Sequence, residues 1–379
     1  MLVLENDEFW SLYGTQSPSL FAVAGFLQGN GTSNNGTYAS SNARDFGFNP
    51  ALAGTANATY NATAKTIVGS VVAPAGTVTF NGGPIAGSLY NYNTPALLSS
   101  VSGNWALTAS TGEGISLNIS STGSFTATSV GGCSFAGNMV PRPSGKNVFN
   151  VSLTFGPFPC LLAGQPTSGI ALVYPLSTGS TQMIFAATNT ARSSGTAAFG
   201  IRPPQVTMTV SNGAGQTGNF VITLSPTLAP ATVANFLTYV NSGFYNGTVF
   251  HRHSPGFVLQ GGSFAGPMSP SAPLPPLKVT NPPVALEVGR GLSNVRWTVA
   301  MARTDVPNSA TSQFFINLAD NVFLDTINGG YAVFGNVTAG TDFITTALTG
   351  TCVSYPALEQ LFDCLLVPNL TITSATQTR

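Results

Sequence analysis

The sequence predicts a mainly β protein in which an N-terminal antiparallel sandwich or barrel precedes a second β domain. Short strand-like runs separated by Gly, Asn, Ser and Thr turns recur through the first half of the chain. The composition, with 42 Gly and 25 Phe in 379 residues, favours short strands over long helices. Pro203-Pro204 then interrupts the pattern, because proline cannot extend the interior of a sheet. We therefore expect separate domains at 1–202 and 203–379.

The N-terminal half offers little that could carry chemistry. Its strand-like runs are "FWSLYG", "SLFAVAGFLQG", "KTIVGSVVA", "GTVTFNG", "NWALTAS", "SFTATSV", "NVFNVSLTFG", "GIALVYP" and "TQMIFAAT". Polar residues 29–65 predict a long loop or a decorated hairpin. This half contains neither a histidine nor a recognisable pair of nucleophile and base, so we expect no catalysis here. It loosely resembles barrel-like domains of proteobacterial surface lipoproteins, a resemblance that implies no activity and leaves its function unknown.

Charge excludes two classes of partner. The twelve basic and twelve acidic side chains cancel, so the chain offers no basic face to nucleic acid and no polybasic run to an anionic membrane. Apolar runs stay well below the ~18 residues that a membrane span needs.

The opening "MLVLENDEFWSLYG" reads as strand, turn and strand rather than an export signal. If the protein is exported, we expect that signal to have been removed or to lie upstream of residue 1.

The four cysteines form two pairs along the chain, Cys133 with Cys160 and Cys352 with Cys364. The turn signal "PSGKN" lies between the first two, and antiparallel pairing around it would place their sulfurs opposite each other. The second pair encloses "VSYPALEQLFD", in which we expect a short loop with one helical turn. Four buried free thiols are the alternative. We favour two local disulfides, which indicate an oxidising compartment such as the bacterial periplasm or cell surface.

The second half starts with a hairpin and a helix. Strands "QVTMTVSN" and "NFVITLS" flank "GAGQTG", which matches the dinucleotide-binding fingerprint but is followed by a strand where that fingerprint needs a helix. Residues 229–243 predict a helix with Pro230 in its first turn, Gly243 at its end and one apolar face: Val233, Phe236, Leu237 and Val240. A second helix is expected near Thr341, with Phe343, Ile344 and Ala347 directed inward.

Polar chemistry is concentrated in "FHRHSPGFVLQGG" at 250–262, which contains both histidines of the chain. No Cys, Asp or Glu lies nearby at ligand spacing, so we predict no metal site. The chain has no G-x-S-x-G elbow, which argues against a Ser-His-Asp triad. Arg252 is either a surface arginine or part of a cleft to which Phe257 and Gln260 return after the Pro255-Gly256 break.

Two further segments complete a pattern. "FHRHSPGFVLQGGSF", "AMARTDVPNSATSQFFIN" and "GGYAVFGNV" together resemble the cyclophilin-type peptidyl-prolyl cis/trans isomerases, most closely the bacterial exported forms, over residues 205–375. The resemblance implies a closed eight-stranded antiparallel barrel capped by two helices. It also implies isomerase activity that needs no cofactor. The segment 351–364 is then an added loop on the barrel rim.

The resemblance also assigns roles. Arg252 corresponds to the catalytic arginine, and Gln260 to the glutamine that orients the substrate. The proline-ring pocket corresponds to Phe257, Phe315 and Leu324, and the peptide-binding edge to Ala302 and the Arg303 backbone. The sequence departs from common family residues at three positions: Val258 replaces a longer Met, Phe323 replaces Trp and Tyr331 replaces His. Without an indole N–H at 323, we expect weak binding of cyclosporin-type macrocycles.

Two functions remain open. The first is an active isomerase that assists folding of exported proteins with X-Pro bonds, and the second is a non-catalytic proline-peptide binding module fused to an adhesin-like surface domain. Both imply proline-containing peptides or unfolded proteins as partners. Neither requires nucleic acid, and we expect a monomer.

Overall fold

The computed structural model describes residues 1–17, 20–74, 76–84, 89–354 and 364–379. The chain divides into two compact units, Met1–Arg202 and Pro203–Arg379. Both are built almost entirely from antiparallel strands, which confirms the predicted mainly β class.

The first unit begins with an eight-stranded antiparallel sheet. Its strands are β1 (Leu2–Val3), β2 (Glu8–Ser17), β3 (Leu20–Asn30), β4 (Thr32–Asn34), β5 (Thr37–Asp45), β6 (Leu52–Asn61), β7 (Thr66–Ala73) and β8 (Gly76–Gly82). The order is β1-β2-β3-β5-β6-β7-β8, with β4 paired to β5. Residues 29–65 therefore contain β4, β5 and β6, and the antiparallel β5–β6 pair agrees with the predicted hairpin rather than with a long loop. The pattern was hard to recognise because, of the three buried residues of β5, only Tyr38 is large, while Ser40 and Ala43 are small.

A closed eight-stranded barrel follows in the same unit, which resolves the choice between sandwich and barrel. A short helix α1 (Leu98–Val101) precedes β9 (Gly103–Ala109), β10 (Gly114–Ile119), β11 (Ser124–Ser129), β12 (Ser134–Pro141), β13 (Phe149–Phe155), β14 (Pro166–Pro175), β15 (Thr181–Asn189) and β16 (Gly195–Arg202). Pairing of β16 with β9 closes it. Alternate residues point inward, as in β10, where Ile115, Leu117 and Ile119 are buried.

The first unit has separate hydrophobic cores. Trp105 lies in the barrel interior with Phe149 and Val151. Trp10 belongs to a second core, in which Phe26 of the first sheet packs with Ile184 on the outer face of the barrel. The sheet therefore covers one side of the barrel, and each layer buries its own tryptophan.

The second unit contains eleven strands in one sheet. They are β17 (Gln205–Ser211), β18 (Thr217–Leu224), β19 (Thr248–Val249), β20 (Arg252–Ser254), β21 (Val258–Gly261), β22 (Thr298–Met301), β23 (Phe314–Asn317), β24 (Val333–Ala339), β25 (Thr351–Ser354), β26 (Cys364–Val367) and β27 (Thr371–Gln377). The order is β19-β27-β17-β18-β24-β22-β23-β21-β20-β26-β25.

This sheet closes on itself at one bent strand. Only Phe250 and His251 separate β19 from β20, so these two segments form one strand course whose ends pair with β27 and β21 respectively. With the β25–β26 hairpin set aside, nine of the eleven strands remain, and they form a ring of eight when β19 and β20 are counted as one. The expected eight-stranded barrel is thus confirmed, and β25–β26 is an addition paired to β20.

Both predicted helices of the second unit are present. α2 (Pro230–Asn241) has Pro230 in its first turn and buries the four residues of its predicted apolar face. α3 (Thr341–Ala347) buries Ile344 and Ala347, and Phe343 and Trp297 pack against the same core. The first four residues of "GAGQTG" lie in the turn between β17 and β18, and the last two begin β18. Among the described helices, none has the length and apolar character to cross a membrane.

Both predicted disulfides are present. Cys133 and Cys160 flank the β12–β13 hairpin, with their Cα atoms 4.6 Å apart. Cys352 of β25 is bonded to Cys364 of β26, with their Cα atoms 5.3 Å apart. The helical turn expected between the second pair lies outside the described residues.

Candidate active site

Three neighbouring strands bring the predicted polar residues side by side. Arg252 on β20 pairs with Gln260 on β21, and Gln260 pairs in turn with Phe315 on β23. Residues directly opposite one another in antiparallel strands point to the same face of the sheet. Arg252, Gln260 and Phe315 therefore form a row across one face of the barrel.

Hydrogen bonds fix the polar end of this row. Arg252 donates from Nη1 to Oε1 of Gln260 over 3.1 Å. Gln260 donates from Nε2 to Oε1 of Gln313 over 2.9 Å. The Gln260 amide is thereby held at both ends. Gln313 received no role from the sequence, although it lies in the quoted "SATSQFF" segment.

A hydrophobic cluster, which we call the notch, adjoins the guanidinium. The Arg252 guanidinium carbon lies 5.9 Å from the centre of the Phe257 ring. The notch consists of buried Val258, Ala300, Phe315, Leu324 and Val333, with partly buried Phe257, Leu292, Ala302 and Tyr331 around them. The structure thus brings the predicted pocket residues into one cluster with Ala302 at its border.

Aromatic contacts shape the mouth of the notch. Phe257 and Phe323 stack with ring centroids 5.8 Å apart and an interplanar angle of 14°. Phe315 meets Tyr331 edge to face at 5.9 Å. Phe323 is 53% exposed and lies at the rim, whereas Phe315 is buried at the base. Val258 is only 2% exposed, which places it in the wall behind the base.

The Arg303 side chain anchors one flank of the notch. Its Nη2 donates to the carbonyl oxygens of Asn328 and Gly330 over 2.7 Å each. Its guanidinium carbon lies 4.6 Å from the centre of the Tyr331 ring. We predicted a contribution only from the backbone of Arg303. The structure adds a side chain that ties the loop before Tyr331 to the end of β22.

A family model described as "Cyclophilin type peptidyl-prolyl cis-trans isomerase/CLD" matches residues 205–354. A peptidyl-prolyl cis-trans isomerase of Streptomyces antibioticus is 50% identical over 132 residues, which cover 34% of this chain and 75% of the relative. Peptidyl-prolyl cis-trans isomerase B of Escherichia coli is 46% identical over 132 residues, covering 34% and 76%. The chain belongs to the cyclophilin-type peptidyl-prolyl cis-trans isomerase family.

Two further matches cover less of the relative or have lower sequence identity. Peptidyl-prolyl cis-trans isomerase A of Dickeya dadantii is 54% identical over 125 residues, which are 32% of this chain and 62% of that relative's length. A crystal structure of a Cryptosporidium parvum cyclophilin type peptidyl-prolyl cis-trans isomerase with the dipeptide Ala-Pro aligns at 21% identity and a TM-score of 0.36. That alignment covers 46% of this chain and 99% of the Cryptosporidium chain. We refer to Pro203–Arg379 as the cyclophilin unit.

A buried asparagine network supports the notch of the cyclophilin unit from below. Asn321 donates from Nδ2 to the Phe257 carbonyl oxygen and to Oδ1 of Asn317, over 2.9 Å in both cases. Asn317 donates to Asn294 over 3.1 Å, and Asn294 donates to Oδ1 of Asp325 over 2.7 Å. The network therefore links the backbone of Phe257 to the short 3-10 helix Val322–Asp325 that carries Phe323 and Leu324.

Asp325 is the charged end of this network. Burial raises the pKa of its carboxyl group, but hydrogen bonds from Ser293 and Asn294 outweigh burial and hold the pKa below its ordinary value. Sequence reasoning missed the four residues because asparagine and aspartate in loops usually indicate turns, and the partners are far apart along the chain.

The two histidines of the cyclophilin unit have different surroundings. His251 is buried against the Phe264 ring, and burial together with the charge of Arg252 lowers its pKa to about 4. His253 pairs with Cys364 across β20 and β26, and its Nδ1 lies 3.9 Å from Cys364 Sγ. Sequence reasoning considered only cysteines near the histidines along the chain, whereas this contact arises from pairing between distant strands.

Proposed function

We propose that the cyclophilin unit is a peptidyl-prolyl cis/trans isomerase. The observation that carries the proposal is the row of Arg252, Gln260 and Phe315 at the edge of a hydrophobic notch. A proline ring fits such a notch, and a guanidinium beside it can reach the proline nitrogen. Family membership supports the same reaction.

The chemistry requires only positioning and one hydrogen-bond donor. Rotation about an X-Pro bond breaks amide resonance, with a barrier of about 20 kcal/mol, and takes roughly tens of seconds or longer without a catalyst. In the twisted transition state the proline nitrogen becomes pyramidal and exposes a lone pair. The Arg252 guanidinium donates to that lone pair more strongly than to the planar nitrogen, which stabilises the transition state selectively.

The remaining site residues hold one side of the bond while the other turns. Phe257, Phe315 and Leu324 clamp the ring, with Val258 behind them and Phe323 and Tyr331 at the mouth. Gln260, preset by Gln313, engages a neighbouring substrate carbonyl. Ala302 and Arg303 form the edge along which the extended peptide lies. No nucleophile, general base or cofactor takes part.

The clients we propose are unfolded or partly folded proteins with X-Pro bonds in a bacterial periplasm or at the cell surface. Two disulfides support an oxidising compartment. An unfolded chain can also lie extended along the edge at Ala302 and Arg303, which a folded surface cannot do. We propose a monomer, since the notch is built from a single chain.

An exchange NMR or protease-coupled assay on a Pro peptide tests the mechanism. Arg252→Ala removes the donor, and we expect kcat/KM to fall by about 100-fold, as for other single transition-state donors. Arg296→Ala is the matched control, because Arg296 is an exposed arginine of the same unit that lies over the Trp297 ring. Equal rates for Arg252→Ala and the parent would contradict the mechanism.

The same assay separates the second candidate, a binding module without turnover fused to an adhesin-like domain. In that case, peptide resonances shift on titration with the protein while cis/trans exchange is not accelerated. The hydrogen bond from Arg252 to Gln260 favours the binding module, since a guanidinium that already donates to Gln260 donates less readily to substrate.

A further inference from the structure

Three side chains of types that commonly bind zinc lie close together, and one of them is on the strand that carries Arg252. His253 lies directly opposite Cys364 on the paired strands β20 and β26, and Cys364 is bonded to Cys352 on β25. The possible ligand atoms of the three residues all lie within 4.8 Å of one another. This cluster, His253 with Cys352 and Cys364, lies outside the notch and plays no part in the proposed isomerisation.

The cluster has the composition of a zinc site. Zn²⁺ prefers thiolate sulfur and imidazole nitrogen, at about 2.3 Å and 2.0–2.1 Å respectively, so neighbouring ligand atoms of a tetrahedral centre are roughly 3.5–4 Å apart. The 3.9 Å between His253 Nδ1 and Cys364 Sγ already matches that spacing. In the oxidised protein, the bond between the two sulfurs prevents them from acting as ligands.

We propose that the reduced protein binds Zn²⁺ through Cys352, Cys364 and His253, and that the disulfide is the metal-free, oxidised state of the same site. A dithiol reductant supplies the two electrons that break the S–S bond and is itself oxidised to a disulfide. The two cysteines become thiols, and each loses its proton to solvent when its sulfur coordinates the ion. The proposal goes beyond isomerase activity and does not depend on it.

The three residues of the cluster differ in solvent exposure, and this difference suits reduction of the disulfide followed by binding of the ion. Cys352 is exposed, whereas Cys364 and His253 are buried. A reductant therefore has a path to the Cys352 side of the bond, since attack on a disulfide depends on access to a sulfur. Water can complete the coordination from that side. The pairing of β20 with β26 fixes the buried ligands before the ion arrives.

The test uses the full chain, reduced with a phosphine under nitrogen, loaded with Zn²⁺ and desalted. We expect one Zn²⁺ per chain by atomic emission in the reduced protein and none in the oxidised protein. Co²⁺ in place of Zn²⁺ should give sulfur-to-cobalt charge-transfer absorption and the visible bands of tetrahedral coordination. Loading should release two protons per ion into a weakly buffered solution.

Variants assign the ligands. Cys352→Ser and His253→Gln should each lose the bound ion on desalting, and Cys352→Ser alters an exposed residue, so its fold should persist. Cys133→Ser/Cys160→Ser is the matched control for the thiols, and His251→Gln is the control for the imidazole; both should keep the ion. Retention of no more metal by the reduced parent than by Cys352→Ser would overturn the proposal, as would an unchanged cobalt spectrum in His253→Gln.

Discussion

Contacts of single side chains position the residues of the site before a substrate binds. Gln260 bridges Arg252 and Gln313, so the position of its amide depends on two neighbours rather than on its own rotamer preference. Arg303 likewise holds Tyr331 through the carbonyl oxygens of the preceding loop. Such supporting contacts reduce the freedom that a substrate would otherwise have to remove on binding.

Gln313→Leu tests this support at the residue scale. The change removes the acceptor for Gln260 Nε2, so the Gln260 amide can rotate away from substrate. We expect kcat/KM to fall by about fivefold, the equivalent of one ordinary hydrogen bond. Gln205→Leu provides the comparison, because Gln205 also bonds across a strand pair of this unit but lies on β17. A loss of the same size in both variants would argue against a specific role for Gln313.

At the scale of elements, the asparagine network joins a strand end to a 3-10 helix. It runs from the Phe257 carbonyl through Asn321, Asn317 and Asn294 to Asp325. Loops without regular backbone pairing need such side-chain partners when they are buried. The network thus links the backbone of Phe257 to the 3-10 helix that carries Leu324, and both residues belong to the notch.

Acid should weaken this element through Asp325. Its pKa is lower in the folded protein than the ordinary value of 3.8, so its contribution to stability is complete above that ordinary value. The contribution is lost as pH falls through the lower, folded pKa. Urea unfolding of the parent and Asp325→Asn should therefore differ near neutral pH and converge in strong acid. A difference that is constant with pH would indicate that the charge of Asp325 does not stabilise the fold.

Sequence reasoning succeeded where the relevant signal was local. The helix expected over 229–243 spans Pro230–Asn241, and the next begins at Thr341 as predicted, because apolar periodicity and end signals lie within a few residues. It left residues 29–65 undecided between a loop and a hairpin, because small residues such as Ala43 form part of the buried face. It missed the proximity of His253 and Cys364, which depends on pairing between strands separated by more than a hundred residues.

At the scale of the whole molecule, the cyclophilin unit has the features of an independent domain. Its largest core is formed only by residues between Val206 and Ala375, and the proposed site residues all lie within the same unit. A domain with its own core can in principle fold alone.

Expression of residues 203–379 alone tests this division. We expect a folded protein whose kcat/KM on a Pro peptide equals that of the full chain, and no isomerase activity from residues 1–202. The measurement is the same exchange NMR experiment, with circular dichroism to verify folding of each fragment. A folded but inactive 203–379 fragment would show that the first unit takes part in catalysis.

The placement of the three tryptophans makes the protein its own optical reporter. Trp105 emits from the barrel interior, Trp10 from the layer between sheet and barrel, and Trp297 from the edge of the cyclophilin core. Replacing any two by phenylalanine leaves one fluorophore in a single compartment. Three such variants would resolve the order in which those compartments loosen on heating, without an attached label.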